Sequence, residues 1–349
     1  MRVMKALVYD APGKGSVRHI PYPTCGNDQL IIKVMAAGIC KWAEIGHDTT
    51  GTGLAKYPVV PGHEFAGYVE ETGKNVTKVK MGDRVTADNT VLCGDCYECQ
   101  HDNSLYCENF GSLGHNINGG FAQYVLVEKS KVFAIPDHIS FDNATITEPV
   151  ACAVHAMKLL KPKLGENILV TGMGPHGLIL SQLAHLSDAE KVAAIGLRQD
   201  RLDWLAAYGV PAILAARDDF SVHEKAIARM FPHGVDAVID SAGSWPMVKS
   251  LFKFLRKGGR YLQYGSFHSA ETLDITSGML NQLHYKEQQY ISCSAQTYCF
   301  PQAIEYIANG KVRLDNMVSH VFSLDDYFKA LEVNKTDKTA VKVIIHTNE

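Results

Sequence analysis

Two groups of residues in this chain have the types and spacing for metal chemistry. The denser is Cys93-Gly-Asp-Cys96-Tyr-Glu-Cys99 followed by Cys107, four thiols within fifteen residues in the pattern C-x2-C-x2-C-x7-C. Four thiolates of this kind close a tetrahedral zinc site and hold a loop that has no core of its own. The thiolate count alone also admits an iron–sulfur cluster. A disulfide framework would require an oxidising compartment, which nothing else in the sequence indicates. The second group is dispersed: Gly38-Ile-Cys40, then Pro61-Gly-His63-Glu64, then Glu148-Pro149 beyond the cysteines. A thiolate, an imidazole and a carboxylate from separate elements suit a catalytic zinc with an open position better than a closed structural site. Taken singly, Cys40 also reads as a small buried hydrophobe, His63 as a core histidine, and Glu148 as a charge at a helix N-terminus.

A third motif addresses a cofactor. Directly after the apolar run Ile168-Leu-Val-Thr171 comes Gly172-Met-Gly174-Pro175-His176-Gly177 and then a helical pattern. With a strand before it and a helix after it, G-x-G-x-x-G reads as a dinucleotide turn. Its first glycine makes the turn, its second lets amides approach a pyrophosphate, and its third permits close helix–strand packing. The helix N-terminus favours the phosphates. An NAD site expects an acidic residue about twenty positions further on, to hold the ribose 2′-hydroxyl. Here Val192-Ala-Ala-Ile195 is followed by Gly196-Leu-Arg198-Gln-Asp200-Arg201, a glycine and two arginines. Absence of the carboxylate relieves repulsion of a 2′-phosphate, and guanidinium groups bind that phosphate bidentately, so NADP(H) is expected. The competing reading makes Arg198 and Arg201 a solvated helix start and gives Asp200 to NAD. Ser241, after the strand pattern 237–240, is placed with the cofactor-binding set.

The elements that must position these residues fall into two patterns. Up to about residue 150, short segments rich in Val, Ile, Tyr and Phe (5–9, 29–35, 65–70, 84–88, 122–127 and 131–135) are divided by Gly, Pro, Asn and Asp, the pattern of a β body with long loops. From residue 167, strands (168–171, 192–195, 212–215, 237–240, 260–264, 290–293) alternate with helices (178–186, 201–208, 222–230, 247–255), which predicts a parallel sheet covered on both faces. Helices at 302–309 and 324–334 lead to a last strand at 341–346, whose place is back on the first domain. The expected division is 1–153 with 298–349, and 154–297 inserted between them.

Composition agrees with such a chain. The 349 residues are 46% hydrophobic and 20% charged, with a net charge of −3, so no broad basic field points to nucleic acid or an anionic membrane. No run approaches the ~20 apolar residues of a membrane span. The start, Met1-Arg-Val-Met-Lys5, enters a strand pattern with no signal region, and four of nine cysteines sit in one cluster, so a cytoplasmic setting is expected.

Six motifs occur in one order: Gly38-Ile-Cys40, Gly62-His63-Glu64, Gly82-Asp83-Arg84-Val85, the four-cysteine lobe, Glu148-Pro149 and the dinucleotide turn. Together they resemble the zinc-dependent medium-chain dehydrogenases/reductases. Glu148-Pro149 followed by residues 151–155 is similar to the sorbitol (polyol) dehydrogenase branch. The resemblance implies an α/β protein with a GroES-like β-rich catalytic domain, a Rossmann coenzyme domain, the active site in the cleft between them, and a homodimer or homotetramer. It implies Cys40, His63 and Glu64 as catalytic zinc ligands, Glu148 holding zinc-bound water or entering the metal shell, and Cys93, Cys96, Cys99 and Cys107 as structural zinc ligands. The implied reaction is hydride transfer between the nicotinamide and a secondary alcohol or ketone of a polyol, sugar or sugar derivative, with the metal polarising the oxygen.

The chain departs from that pattern in two places. Where the family reads Cys-Gly-Ser/Thr-Asp, this chain has Cys40-Lys41-Trp42-Ala43-Glu44. Trp42 has no transferable hydroxyl proton and instead suits a wall of the substrate pocket. Glu44 takes the orienting role one residue late, or Glu148 and water carry the proton. Lys41 reads as a substrate contact or an exposed lysine. Where polyol dehydrogenases carry an arginine–aromatic pair, the chain offers Ala295 and Gln296. Two further readings stand beside the polyol enzyme: a dehydrogenase of simpler, more apolar alcohols or ketones, and a catalytically degraded dinucleotide sensor.

Overall fold

The computed structural model describes residues 2–216, 219–267 and 275–348. The chain divides into two units, Met1–Ala151 with Gln296–Glu349, and Cys152–Ala295, each boundary two residues from the expected one.

The first unit is built on a seven-stranded sheet centred on Gln29–Gly38. That strand is apolar along almost its whole length and buried on both faces, so it reads as a continuous run rather than an alternation. It pairs antiparallel with Glu64–Thr72, with Tyr124–Glu128 and with the C-terminal strand Lys342–His346. The last pairing sets Ile344 opposite Gly38, so the end of the chain completes a sheet begun near its start. Leu7, Tyr9, Ile32, Phe65, Phe121, Tyr327, Val343 and Ile345 belong to one buried core, with Phe121 edge-on to Tyr327 at 5.1 Å. Beneath the sheet runs a buried ionic network. The Lys131 ammonium donates to Asp88 Oδ2 (3.1 Å) and Thr90 Oγ1 (2.7 Å), while Asp88 Oδ1 accepts from the Gln296 side-chain amide at 2.9 Å.

The second unit is a six-stranded parallel sheet. Its spatial order is Ala212–Leu214, Lys191–Gly196, Asn167–Thr171, Val235–Asp240, Leu255–Gln263, Gln289–Ser292. Strand order reverses beside Asn167–Thr171, the place where open α/β sheets leave a crevice at their carboxyl ends. The helix Pro175–His185 is buried along most of its length, which explains a sequence apolar nearly all round.

Several elements differ from the sequence expectation. The strands Gly15–Pro21 and Val318–Ser323 are half-exposed and carry weak alternation. The helix Lys41–Asp48 has only eight residues, and its buried positions include Glu44 and His47, so it shows no apolar stripe. The helix Ser277–Tyr285 buries nothing. The helix expected at 247–255 stops at Phe252, and Leu255 opens the next strand. The segment expected as helix at 324–334 begins as a 3-10 turn, Leu324–Asp326, before the helix Tyr327–Thr336.

Candidate active site

Sheet register creates the dispersed cluster. Gly38 lies opposite Glu64 in the antiparallel pair, which brings Cys40, two residues past one strand, beside His63 and Glu64 at the start of the other. One ligand atom from each of Cys40, His63 and Glu64 lies within 4.8 Å of the others. Cys40 caps the helix Lys41–Asp48, and its carbonyl accepts the Glu44 amide at 3.0 Å. Glu148 is buried and its charge is felt at Cys40, but its carboxylate is not among those three ligand atoms.

The cluster's polar atoms are poised for a cation. His63 Nδ1, Glu64 Oε1 and both Glu44 carboxylate oxygens are buried without a hydrogen-bond partner. Buried polar atoms are almost always paired, so four orphans together mark a site completed by something more. Burial, with Glu64 next, pushes the Cys40 thiol up to about 12, and Lys342 acts in the opposite sense. Burial likewise raises Glu44 well above the usual carboxylate range, with His63 opposing it. A divalent cation among these groups would reverse that balance. A thiolate, an imidazole and a carboxylate are a donor set that zinc accepts.

Sequence reasoning did not find three residues of this site. Lys342, buried in the C-terminal strand, pairs with Glu64 and donates to the Ile39 carbonyl at 3.2 Å. Burial works against its charge, yet Glu64 and Cys40 hold its pKa above the ordinary lysine value. Gly38 leaves room for this pair, since a Cβ there would lie 2.8 Å from Lys342 Cε and closer still to Glu64. His115 places its ring 4.8 Å from that of His63, and Trp42 stacks on His115 at 6.4 Å. Burial, with His63 and His47 adding to it, lowers His115 to about 3, so it is neutral. His47 Nε2 faces the Gly114 carbonyl at 3.1 Å and its Nδ1 faces the Tyr57 hydroxyl at 3.1 Å, which assigns the proton to Nε2. Nothing in local sequence marked these three: Lys342 and His115 reach the site through distant pairings, and His47 sits on the short helix that Cys40 caps, which carries no apolar stripe. Trp42 is 59% exposed, one ring removed from His63, while Lys41 lies on the surface.

The cysteine lobe is compact. The four Sγ atoms lie within 4.8 Å of one another, with Cys107 at 3.4 Å from Cys93 and 3.9 Å from Cys96. Sulfurs about 2.3 Å from one tetrahedral zinc sit about 3.8 Å apart, so the lobe fits that ion. Backbone amides of Cys99 and Glu108 lower the Cys96 thiol to about 7.

In the second unit, each glycine of the turn has a distinct surrounding. Gly172 has φ +88°, and a Cβ there would meet the Ala242 amide at 2.5 Å. At Gly174 a Cβ would meet nothing within 4 Å, which leaves backbone open to a pyrophosphate. At Gly177 a Cβ would run into the Gly172 carbonyl and lie 2.8 Å from Ser241 Oγ. Pro175 is the first residue of the following helix, and His176 packs against Tyr264 at 5.1 Å. The Ser241 hydroxyl lies 2.6 Å from the Gly172 carbonyl and 2.9 Å from that of Thr171, so it braces the turn. Gly196 also has a packing reason. A Cβ there would lie 2.7 Å from Met173 Cγ, so substitution would disturb the turn as well as the charge. Arg201 Nη1 donates to the Met173 carbonyl at 2.9 Å, and Arg198 forms a two-point ion pair with Asp200.

Gln296, in place of a substrate-binding arginine or aromatic, is fully buried and engaged with Asp88. No helix among the described residues is long and apolar enough to cross a membrane.

Two stretches of the chain match known families. Residues 26–137 match the alcohol dehydrogenase GroES-like domain family, and residues 175–309 match the zinc-binding dehydrogenase family. The chain is similar to D-arabinitol dehydrogenase 1 of Uromyces fabae, 33% identical over 99% of this chain and 97% of the relative. It is similar to a sorbitol dehydrogenase of Halalkalibacterium halodurans, 32% identical over 98% of this chain and 99% of the relative. A crystal structure described as a zinc-binding dehydrogenase from Sinorhizobium meliloti 1021 bound to NADP superposes with a TM-score of 0.91 at 30% identity, covering 99% of this chain and all of the other.

Proposed function

We propose that this chain, which belongs to the zinc-dependent medium-chain dehydrogenase/reductase superfamily, interconverts a secondary alcohol and ketone of a polyol, sugar or sugar derivative with NADP(H) preferred over NAD(H). The carrying observation is the convergence of Cys40, His63 and Glu64 within 4.8 Å, surrounded by buried unpaired polar atoms. When bound, zinc supplies Lewis-acid polarisation of the substrate oxygen and the nicotinamide supplies or accepts the hydride.

The chain's own residues do the rest. Cys40, His63 and Glu64 hold the metal, with Glu148 close enough to influence Cys40 electrostatically. Lys342 fixes one oxygen of Glu64 and leaves Oε1 available. Glu44, one residue later than the family pattern, is a buried carboxyl group on which His63 acts electrostatically with no hydrogen bond between them. Neutral His115 and exposed Trp42 form an apolar and aromatic rim beside His63. Gly172, Gly174 and Gly177 seat the pyrophosphate against the amides of Pro175-led helix Pro175–His185, and Arg198 takes the 2′-phosphate. The four-cysteine lobe holds its loop around a second, structural zinc. The protein works in a reducing, cytoplasmic setting, as a homodimer or homotetramer.

Two observations favour a second reading, a more apolar alcohol or ketone as substrate: Gln296 is engaged with Asp88, and Trp42 presents an aromatic surface. Zinc-loaded protein assayed against polyols, sugar acids and simple ketones with each cofactor separates the two. Cys40→Ser is expected to abolish turnover while NADPH fluorescence titration still reports binding. A fully active Cys40→Ser protein would remove both readings.

A further inference from the structure

The turn after Lys191–Gly196 contains one carboxylate, Asp200, and it does not stand alone. Its Oδ1 accepts from Arg198 Nε at 2.9 Å and its Oδ2 from Arg198 Nη2 at 2.9 Å. This is the parallel two-bond geometry in which guanidinium groups also bind phosphate. The pair is local. Arg198 caps the helix Gln199–Tyr208 with extended backbone, and Asp200 is the second residue of that helix. Both side chains are partly in solvent, 32% and 60% exposed, so the pair contributes little to folding. Its consequence therefore lies in what else Arg198 can bind. The second arginine does not compensate fully, because Arg201 is tied by Nη1 to the Met173 carbonyl inside the dinucleotide turn. Gly196, where a carboxylate would hold an NAD ribose, packs against Met173, so Asp200 is the acidic group nearest in sequence to that task.

We propose that Asp200 is a specificity-determining residue: its carboxylate competes with a cofactor 2′-phosphate for Arg198 and keeps the site open to both NADP(H) and NAD(H). The inference rests on the reading of Arg198 as the 2′-phosphate ligand. With Asp200 present, the segment from Gly196 to Arg201 carries a formal charge of +1, from two arginines and one aspartate. A 2′-phosphate brings about −1.5 to −2 at neutral pH, so removing the aspartate would raise the segment's formal charge to +2 and release Arg198 from its carboxylate partner. The ribose 2′-hydroxyl of NAD(H) is instead a donor, which the same carboxylate can accept. One residue thus weakens the phosphate and supports the hydroxyl.

The test is a cofactor titration of the zinc-loaded full chain, read by nicotinamide fluorescence and by competition with 2′,5′-ADP and 5′-ADP, so it does not depend on turnover. Asp200→Asn is expected to raise the preference for NADPH over NADH, and for 2′,5′-ADP over 5′-ADP, by roughly tenfold at low salt and by less at high salt. Arg198→Ala should lower the NADPH preference, and Asp200→Asn added to it should then shift the preference by less than it does in the parent, because only the carboxylate's support of the 2′-hydroxyl is left to lose. An unchanged preference in Asp200→Asn, or a shift toward NADH, overturns the competition while a loss in Arg198→Ala still upholds the 2′-phosphate reading. If Arg198→Ala leaves the preference where it was, that reading falls and the competition falls with it.

Discussion

The dinucleotide turn is made by six consecutive residues, Gly172 to Gly177. The metal cluster draws Cys40, His63 and Glu64 together across a strand pair and is backed by Lys342, 303 positions from the Ile39 carbonyl it bonds. In the turn, the chemistry is carried by backbone amides, and side chains matter mainly by being absent. In the cluster, the chemistry is carried by buried side chains whose charges must balance. The first arrangement is local, the second non-local and buried. The two should therefore fail differently when disturbed.

The largest effect is expected at Lys342. Lys342→Met keeps most of the volume but leaves Glu64 buried without its partner, and breaking a buried pair from one side costs about 3–5 kcal/mol. Loss of an outer partner of a metal ligand typically lowers metal affinity about 10–100-fold. Zinc retention against a chelator, with thermal unfolding of the loaded protein, should show both losses, while NADPH affinity remains near that of the parent. Unchanged zinc retention would mean that Lys342 only fills space.

How much of each region was legible follows from the same contrast. The turn could be read because its signal is a short string with a strand before it and a helix after it, and Gly172, Gly174 and Gly177 have the surroundings those roles require. Cys40, His63 and Glu64 were legible by residue type and order, but their convergence depends on the register of Gly38 against Glu64. Lys342 and His115 carried no local mark, because a lysine in a strand and a histidine after a glycine are ordinary until the sheet is assembled. Gln296 illustrates the reverse limit. In sequence it marks only the loss of an arginine–aromatic pair, and the buried network with Asp88 and Lys131 shows where its amide goes.

A second, smaller effect sharpens the comparison from the other side. Gly177→Ala would drive a Cβ into the Gly172 carbonyl, a backbone atom that cannot swing away. Overpacking of this kind costs about 1–3 kcal/mol. Separation of the helix from the turn should weaken NADPH and NADH alike, by roughly tenfold. Zinc content should stay at its parental value. A fall in bound zinc would break the picture of two independently built regions, and selective loss of NADPH alone would show that the turn reads the 2′-phosphate rather than the pyrophosphate.

The smallest effect tests whether strain at the chain's return to the first unit belongs to either site. Ala295, the last residue of the second unit, has φ +53°, and Tyr298, three residues on, has φ +57°. Left-handed backbone costs a residue with a Cβ roughly 1 kcal/mol, a penalty that glycine escapes. Glycine also gains freedom in the unfolded chain, which offsets part of that relief. Ala295→Gly should therefore stabilise the protein by about 0.5 kcal/mol, a shift of one or two degrees in Tm for a chain of this length. Because the neighbouring Gln296 amide already anchors the segment to Asp88, neither zinc retention nor cofactor affinity should change. A change in either would show that the conformation at Ala295 is held for function, since relief of strain alone would alter stability and leave both sites as they were.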